Sequence, residues 1–400
     1  MIFTTYWFCL FALVFFPLYW SLRVPGLRLA LLLVFCSIFH AHFAGAAGML
    51  PILVLSATTY GAGLWRHKWA IRIGIALPVL ALVFYKYTHF LAHGALGFIN
   101  PAWGNHMETA ISSHLPATPP LAVSFFVFEF VHYLYDVSKG QPSIRNPAHF
   151  WVFTFFFPSL VAGPIKRYQP FLESLHQGVR HASLDDAKVG LTRIALGLFK
   201  KVVVADNLTA AIQFWQPQFE GLTLSGRWLL FGAIGFRILM DFSGYSDIAI
   251  GLARLMGIKL LENFNWPYFA TSLQDFWQRW HISLSSWIRD YVYIPLGGNR
   301  HGLLRKVFNG LVAFALCGLW HGPAWNFVLW GVFHGFGLAI NSSYRVIFGA
   351  AGRWLGECFT KLPLLGWLTT TIFVFIGWLY FFYPIDEASH MIKLLFLTRK

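Results

Sequence analysis

The chain is short of charge, and of negative charge above all. Only 12% of its 400 residues are Asp, Glu, Lys or Arg, and the acidic residues number 16 against 30 basic ones. A chain of this length would ordinarily form two or three soluble domains. The scarcity of charge excludes that organisation, because a water-facing surface is built largely from charged and polar side chains.

Cysteine is also scarce, and the signatures of several enzyme classes are missing. The four cysteines (Cys9, Cys36, Cys317 and Cys358) lie far apart, without a CxxC or a Cys/His metal spacing. There is no GxSxG motif and no pair of carboxylates at a spacing that suits a glycosidase. We therefore expect neither a disulfide framework nor a bound metal.

The net charge of +14 would suggest a nucleic-acid partner if the protein were soluble. Here the basic residues form short clusters between apolar runs. That distribution is typical of cytoplasmic loops that face anionic lipid. We expect membrane lipid as a partner and no nucleic acid.

Long apolar runs take the place of charge, since 57% of the residues are hydrophobic and 19% are aromatic. Runs of about 17–22 apolar residues can cross a bilayer core of roughly 30 Å. Helices satisfy their own backbone groups in lipid, and the alternating segments of a β-barrel are absent. We predict an all-α polytopic membrane protein with one membrane domain, 1–400. The predicted spans are 2–20, 27–45, 48–64, 71–90, 119–136, 149–164, 189–205, 227–243, 245–257, 306–320, 324–341 and 366–384.

Charges beside the first spans predict the orientation. No charge precedes the first span, whereas Arg23 and Arg28 follow it, and Arg66, Lys68 and Arg72 follow the third. Cytoplasmic loops carry the excess of Lys and Arg, so we expect the N-terminus outside. The first span lacks the basic start of a cleavable signal peptide and is expected to be retained.

The segment 149–164 is expected to enter the membrane without crossing it. Lys139 and Arg145 precede it, and a second basic cluster that begins with Lys166 and Arg167 follows it. A full crossing would place one of the two clusters outside. The segment is also short and interrupted by proline. Irregular backbone at this depth requires surrounding protein or a water-filled cavity, so we expect a cavity in the middle of the fold.

The stretch 260–305 is more polar and predicts an amphipathic helix at an interface or along a wet funnel. Asp275 and Arg279 have the spacing of an ion pair on one helix face. His281 falls at the edge of the apolar stripe, where it is either a packing histidine or a site residue. The stripe consists of Leu273, Phe276, Trp277, Trp280, Leu284, Trp287 and Ile288.

His321 is the most unusual residue, because the Gly-Leu-Trp-His-Gly-Pro run of 318–323 lies between two apolar runs. An ionisable group at membrane depth is a functional-site candidate, and histidine suits proton transfer near neutral pH. The two glycines and Pro323 interrupt the helix and open space for a ligand. The alternative is a core histidine bonded to a backbone carbonyl, which these surroundings disfavour.

Other ionisable residues in apolar runs have simpler interpretations. His334 lies about 220° around an ideal helix from His321, so it is expected to face away and to pack or form a hydrogen bond. Asp241 and Asp247 lie about 240° apart and are not a paired site. Arg237 precedes Asp241 by one turn, which predicts a buried ion pair; a role in shaping the cavity is the alternative.

Six short motifs in order make the chain resemble the membrane-bound O-acyltransferase (MBOAT) superfamily, in its bacterial branch. Any one motif would be weak evidence, whereas six in order over about 121–334 are specific. The Ile-Pro-Leu-Gly-Gly-Asn-Arg run of 294–300 is most similar to alginate O-acetyltransferases and to enzymes that acetylate exported cellulose or peptidoglycan. The chain length is closer to that of the teichoic acid D-alanyltransferases. The motifs are 157–165, 241–247, 263–268, 275–285, 289–300 and 319–322.

The resemblance implies a ring of about 11 transmembrane helices, with re-entrant and interfacial helices, around a central funnel. His321 matches the catalytic histidine of the family and His281 the second histidine. An acyl-CoA or an acyl-phosphopantetheine carrier would be the co-substrate on the cytoplasmic side, with no cofactor bound. Expected partners are a periplasmic or extracytoplasmic acetylation protein or an acyl carrier protein. The residues expected along the tunnel are Trp277, Trp280, Arg279, Ser283, Trp320, Trp325, Asp241, Tyr245, Asp247 and Asn265.

These expectations describe an O-acyltransferase of the bacterial cytoplasmic (inner) membrane. His321 would take the proton of an acceptor hydroxyl, and His281 would position the substrate or stabilise an oxyanion. The acyl group, acetyl in the first place, would pass to an exported cell-surface polysaccharide or an intermediate acceptor. D-alanyl transfer to teichoic acid is the alternative. A transporter or flippase could use the same cavity, but the inverted repeats of transporters are not visible.

Overall fold

The computed structural model describes residues 2–111, 115–116 and 119–396. These residues form helices and connecting turns, without a β-strand among them, which confirms the all-α prediction. The main helices are α1 (Tyr6–Ser21), α2 (Pro25–Trp65), α3 (Lys68–Leu82), α4 (Pro101–Ile111), α5 (Val123–Ser138), α6 (Pro147–Phe155), α7 (Tyr168–Arg180), α8 (Leu184–Leu198), α9 (Asp206–Trp215), α10 (Leu224–Leu255), α11 (Leu273–Arg279), α12 (Ile282–Ile288), α13 (Gly302–His321), α14 (Trp325–Ile347), α15 (Gly349–Lys361), α16 (Pro363–Phe382) and α17 (Ile385–Phe396).

Several described helices are long and apolar enough to cross a membrane. Four meet both conditions: Pro25–Trp65, Lys68–Tyr87, Gly302–His321 and Pro363–Phe382. The second of these continues from α3 into a π-helical turn. Apolar side chains on the surface of such helices suit contact with lipid rather than water. The protein is therefore a multi-pass membrane protein; the number of crossings stays a prediction.

Two pairs of predicted spans are single helices in the structure. The spans 27–45 and 48–64 form α2, which is kinked at Gly45, where φ is 64° and ψ is 173°. The spans 227–243 and 245–257 form α10 without a break, so the predicted division there was wrong. A glycine inside a helix costs about 1 kcal/mol relative to alanine, which is too little to end a helix of 32 residues.

The segment predicted to be re-entrant is too short to cross a bilayer as a helix. The nine residues of α6 span about 14 Å, less than half of a bilayer core. A 3₁₀ turn, Phe157–Ser159, follows. Side chains throughout 152–160 are buried in protein, as irregular backbone at membrane depth requires.

The amphipathic segment is two short helices, and the prediction of one continuous helix was wrong. Ser272 caps α11 by accepting a hydrogen bond from the Asp275 N–H. The chain is then extended at Trp280, and His281 adopts φ +44°, in the left-handed region. The predicted ion pair between Asp275 and Arg279 is confirmed, with an N–O distance of 2.6 Å.

The chain divides into two compact units. The first comprises 1–198 and 245–261, and the second comprises 199–244 and 262–400. The first unit has a core rich in phenylalanine, whereas the second contains α13 and α14 and both candidate histidines. The division falls within α10, and the single domain expected over 1–400 stays a prediction.

Candidate active site

His321 is the last residue of α13, where the chain turns toward α14. Gly322 is extended (φ −166°), and the next helix begins at Trp325. The ring is half-buried rather than enclosed. The last carbonyls of a helix lack partners within it, and their partial negative charge favours a cation at this position. An imidazole placed here can accept a proton and remain accessible.

Glycines hold α13 and α14 in direct contact. A Cβ atom added at Gly318 would lie 2.1 Å from the carbonyl oxygen of Phe327, and one added at Gly331 would lie 2.1 Å from the carbonyl oxygen of Phe314. Either atom would overlap the backbone of the neighbouring helix. Small residues permit such close approach between membrane helices, so these two glycines set the geometry of the helix pair that contains His321.

Three aromatic rings surround His321. The ring centroids of Trp320, Trp330 and Phe381 lie 4.8, 5.2 and 5.0 Å from the imidazole centroid. All three contacts are close to edge-to-face, the arrangement that aromatic rings prefer. They fix the orientation of the imidazole and restrict water around it.

His281 occupies the break between α11 and α12 and is only 1% exposed. A residue other than glycine is strained at its φ of +44°. Backbone hydrogen bonds hold it there, because the Ile282 N–H donates to the Asn263 carbonyl over 2.9 Å. The same asparagine binds the N–H of Ser283 with its side chain. A residue distant in sequence therefore breaks the helix at the histidine.

The Asn263 side chain also determines which nitrogen of His281 carries the proton. Asn263 Oδ1 lies 3.2 Å from the backbone nitrogen of Ser283. A backbone N–H can only donate, so the atom that faces it is the amide oxygen. His281 Nδ1 lies 3.1 Å from that oxygen and must therefore donate its proton. Neutral His281 presents Nε2 as an acceptor, and this atom has no hydrogen-bond partner within the described part of the chain.

His281 and His321 lie in one neighbourhood. The ring centroid of Trp320 is 6.3 Å from that of His281 and 4.8 Å from that of His321. Burial lowers the pKa of His281 well below its usual value, and the nearby His321 lowers it further. His281 is thus held neutral at the pH of the cell.

A cavity of about 530 Å³ lies in the same unit and is lined by α11, α12, α13 and α14. Trp277 lines it, as does Cys317, which precedes His321 by one helical turn. The charged residues of its lining are Arg289 and Lys306, both cations. Arg289 is itself paired with Asp290 over 2.8 Å, which leaves Lys306 as the second cation of the lining. The volume is typical of a small-molecule site, and the lining suits a largely apolar ligand with an anionic group.

The structure distributes the predicted tunnel residues over several environments. Trp277 is the member of that set in the lining of the cavity. Trp320 contacts both histidines, and Ser283 shares Asn263 with His281. Trp280 is buried, whereas Arg279, Asn265 and Trp325 have exposed or partly exposed side chains (Trp325 is 50% exposed).

Asp241 does not pair with Arg237, so that prediction was wrong. The Asp241 carboxylate lies 2.8 Å from Lys201 Nζ. The Arg237 guanidinium lies over the ring of Phe382, 4.3 Å from its centroid. A cation over an aromatic face is stabilised, and the ammonium of Lys201 supplies the charge that Asp241 needs. The spacing of one helical turn between Arg237 and Asp241 was therefore not sufficient to identify the partner of Asp241.

Tyr245 and Asp247 belong to the first unit, whereas His281 and His321 belong to the second. Asp247 forms an ion pair of 2.7 Å with Arg193. The half-buried Tyr245 ring packs 4.9 Å from Phe3, between centroids. Within their own unit these residues stabilise the packing of α10.

Sequence reasoning missed Asn263 and Trp330. Asn263 lies in the 263–268 motif, but it is 18 residues from His281, and no local pattern predicts a hydrogen bond over that separation. The prediction that His334 packs is confirmed: it is fully buried, with Trp277 and Trp330 at 5.2 and 5.1 Å between centroids.

Comparison with known proteins supports one family for this arrangement. The sequence profile of MBOAT, the membrane-bound O-acyltransferase family, matches residues 98–384. That range contains both histidines, Asn263 and the whole lining of the cavity in the second unit.

Named relatives agree with that match. The probable alginate O-acetylase AlgI of Azotobacter vinelandii is 37% identical over 318 residues, 79% of this chain and 60% of that protein. The peptidoglycan O-acetyltransferase of Helicobacter pylori is 35% identical over 385 residues, 87% of this chain and 70% of that protein. The teichoic acid D-alanyltransferase of Bacillus subtilis is 28% identical over 239 residues, 56% and 60% of the two chains. This chain thus spans about 60% of the length of the alginate O-acetylase that it matches.

Proposed function

Because the chain belongs to the membrane-bound O-acyltransferase family, we propose that it transfers an acetyl group from a thioester to a hydroxyl group of an exported polysaccharide or of an intermediate acceptor. The observation that carries this proposal is the accessible His321 beside the buried, neutral His281. The two relatives named for O-acetyl transfer match more of the chain, at higher identity, than the relative named for D-alanyl transfer.

In the proposed reaction His321 is the general base. It takes the proton of the acceptor hydroxyl as the oxygen attacks the thioester carbonyl, and it returns that proton to the thiolate that leaves. The products are an ester and a free thiol. Positioned proton transfer contributes about 10²–10⁴-fold to a rate. The carbonyls at the end of α13 stabilise the imidazolium that forms between the two steps.

The hydrogen bonds of His281 favour a positioning role over donation to an oxyanion. With Nδ1–H bound to Asn263, neutral His281 has only a lone pair to offer at Nε2. It can accept a hydrogen bond from the acceptor hydroxyl or from the protonated His321. Either bond would orient the reacting groups as the proton moves.

The cavity of the second unit is the proposed donor site. A phosphopantetheine arm, carried by coenzyme A or by a carrier protein, is elongated and ends in phosphate at the side away from its thioester. Lys306 provides a cation for phosphate, beside the Arg289–Asp290 ion pair. Trp277 and Cys317 form the apolar interior close to His321. An apolar interior excludes water and so protects the thioester from hydrolysis.

This function requires a protein that spans the cytoplasmic membrane, with the thioester donor on the inner side and the hydroxyl acceptor outside. We propose the ring of about 11 transmembrane helices and an external N-terminus for that arrangement, with the basic loops facing the cytoplasm. A periplasmic or extracytoplasmic protein would take the acetyl group to its final polymer.

The test uses the full chain reconstituted in vesicles, with radiolabelled acetyl-CoA and a soluble polysaccharide acceptor. Formation of an alkali-labile labelled ester is expected, and His321→Ala should reduce it by at least about 100-fold without loss of folded protein. His106→Ala, an exposed residue outside the site, is the matched control. Normal transfer by His321→Ala would refute the mechanism, and labelling only by a D-alanyl thioester would refute acetyl as the group transferred.

A further inference from the structure

The indole of Trp277 carries a polar atom that the fold leaves unsatisfied. The side chain is only 7% exposed, and its Nε1–H has no hydrogen-bond partner within the described part of the chain. A buried N–H without an acceptor costs free energy, because the bond that it made to water is lost. Most buried polar groups of a native protein are bonded, so this one calls for an explanation.

The same side chain lines the cavity of the second unit. Among the described residues of that lining, Trp277 is the one whose buried side-chain polar atom lacks a partner. The lining hydroxyls of Ser285, Ser286 and Ser342 each donate to a backbone carbonyl. An indole N–H can donate a hydrogen bond and cannot accept one. The ligand atom that would satisfy Trp277 is therefore an acceptor, such as a carbonyl oxygen.

Ring contacts place the Trp277 indole toward the His321 end of α13. The indole packs close to edge-to-face against Phe314 and Trp330, with centroids 4.9 and 5.8 Å apart. The Trp330 ring in turn lies 5.2 Å from that of His321. Lys306 precedes Phe314 on α13 by about 12 Å of helix. An acyl donor whose phosphate meets Lys306 would thus extend its thioester toward Trp277.

Packing rather than hydrogen bonding holds the indole in place. The imidazole of His334 lies 5.2 Å away between centroids, at 88° to the indole, and neither of its nitrogens has a hydrogen-bond partner among the described residues. Trp277 belongs to α11, whose first turn is fixed by the Ser272 cap. A hydrogen-bond donor that is fixed before the reaction begins stabilises a developing charge without reorganisation.

The proposed transfer places a negative charge on the thioester oxygen. The acceptor hydroxyl oxygen bonds to the carbonyl carbon, and the carbonyl oxygen becomes an oxyanion. The C–S bond then breaks, the carbonyl re-forms, and the leaving thiolate takes the proton from His321. Neutral His281 cannot donate to the oxyanion, because its single N–H is bound to Asn263. The oxyanion therefore needs a donor from another residue.

We infer that the Nε1–H of Trp277 binds the carbonyl oxygen of the acyl thioester and stabilises the oxyanion that forms from it. Trp277 is then a catalytic residue beside His321. This inference rests on the proposed function and assigns a part of the reaction that neither histidine performs. An amide oxygen of the pantetheine arm is the alternative acceptor, and the test separates the two oxygens.

Removal of the indole N–H tests this role in the full chain. Trp277→Phe keeps an aromatic ring, and β-(3-benzothienyl)alanine at this position keeps the indole shape with sulfur in place of N–H. Both variants should lower kcat for acetyl transfer by about 10²–10³-fold, the effect of losing one oxyanion donor. Melting temperatures verify that both are folded. Trp354→Phe, at an exposed tryptophan of the same unit, should leave kcat within twofold.

Binding of S-ethyl-CoA, a thioether that lacks the thioester carbonyl, identifies the oxygen. The wild type should bind acetyl-CoA about fivefold tighter than S-ethyl-CoA, the value of one hydrogen bond. Both Trp277 variants should bind the two ligands equally. Equal weakening of both ligands in the variants would assign the N–H to an amide oxygen and overturn the inference.

The kinetic outcomes distinguish this role from the proposed function. If the wild type forms the acetyl ester and the benzothienyl variant does so with normal kcat, the role of Trp277 is refuted while the transfer reaction stands. If the wild type forms no ester, the proposed function is refuted, and the role of Trp277 with it.

Discussion

The amide oxygen of Asn263 lies 3.1 Å from Nδ1 of His281, and this bond links the helix break to the chemistry of the site. The oxygen also accepts from the N–H of Ser283, so its identity is certain from geometry. One side chain thus determines both where the helix ends and which imidazole nitrogen is an acceptor.

Replacing Asn263 should change the reaction through the tautomer of His281. Asn263→Leu removes the acceptor for Nδ1–H of His281. The rate of acetyl transfer is expected to fall by about 10²–10⁴-fold, the contribution that a positioned proton transfer makes to a rate. Asn263→Asp keeps the acceptor but adds a negative charge, which raises the pKa of His281. The imidazolium then persists to higher pH, so the acid limb of kcat/KM against pH should move to higher pH. An unchanged profile in Asn263→Asp would contradict the assigned bond.

The buried, neutral state of His281 predicts that the protein loses stability at acidic pH. Burial lowers the pKa of the folded state below that of the unfolded state, which is about 6.5. The unfolded chain therefore binds more protons in that interval, and the free energy of unfolding falls as pH falls below about 6.5. Melting temperatures at pH 8 and pH 5.5 measure the loss. His281→Asn should show a smaller loss than the wild type, and an equal loss would rule out this residue as its source.

The close contact of α13 and α14 predicts opposite effects for two glycine substitutions. Gly331→Ala places a methyl group on the Phe314 carbonyl oxygen and should cost about 1–3 kcal/mol of unfolding free energy, together with most of the activity. Gly232→Ala meets nothing within 4 Å and should stabilise α10 by about 0.5–1 kcal/mol. Melting temperatures of the two variants in detergent test these effects. A lower melting temperature for Gly232→Ala together with an unchanged one for Gly331→Ala would contradict the close contact of α13 and α14.

The partner of Asp241 can be identified by double-mutant cycles. Lys201 lies 2.8 Å from Asp241, so Lys201→Met and Asp241→Asn should be coupled by up to about 1 kcal/mol, because the pair is partly exposed. Arg237→Met and Asp241→Asn should be additive within about 0.5 kcal/mol. Coupling to Arg237 instead of Lys201 would restore the pair that helix spacing suggested.

The cations of the donor cavity should act on the phosphates of the donor. Lys306→Gln is expected to raise KM for acetyl-CoA about fivefold with kcat unchanged. The contact between Lys306 and phosphate would stabilise the bound substrate and the transition state equally, so its loss affects KM alone. Acetyl-pantetheine lacks phosphate, so wild type and variant should use it equally well. A KM change of the same size with both donors would show that Lys306 acts on the fold and not on phosphate.

Much of the fold was accessible from local patterns. Apolar runs predicted the ends of α13 and α16 to within four residues and those of α14 to within six, because a segment in lipid must form its own backbone hydrogen bonds. The same patterns divided α10 at residue 244, since a run of glycine and serine resembles an interruption. Packing around a long helix outweighs the small cost of one glycine.

Prediction of the candidate site was less complete. The position of His321 between apolar runs identified it as a candidate site residue, because an ionisable group at membrane depth is costly and usually has a function. The predicted ion pair between Arg237 and Asp241 was wrong, and the helix break at His281 was not predicted. In both cases the deciding partner, Lys201 or Asn263, lies more than a helical turn away along the chain.

Composition and hydrophobic periodicity were sufficient to predict the class of protein, most of the helices and His321 as a candidate site residue. Each of these depends on neighbours within a few positions of the sequence. The tautomer of His281, the ring contacts of His321, the shape of the cavity and the partners of the aspartates depend on atoms brought together from distant parts of the chain. Hydrogen bonds and ion pairs are short-ranged and directional, so their partners become known only when the helices have packed.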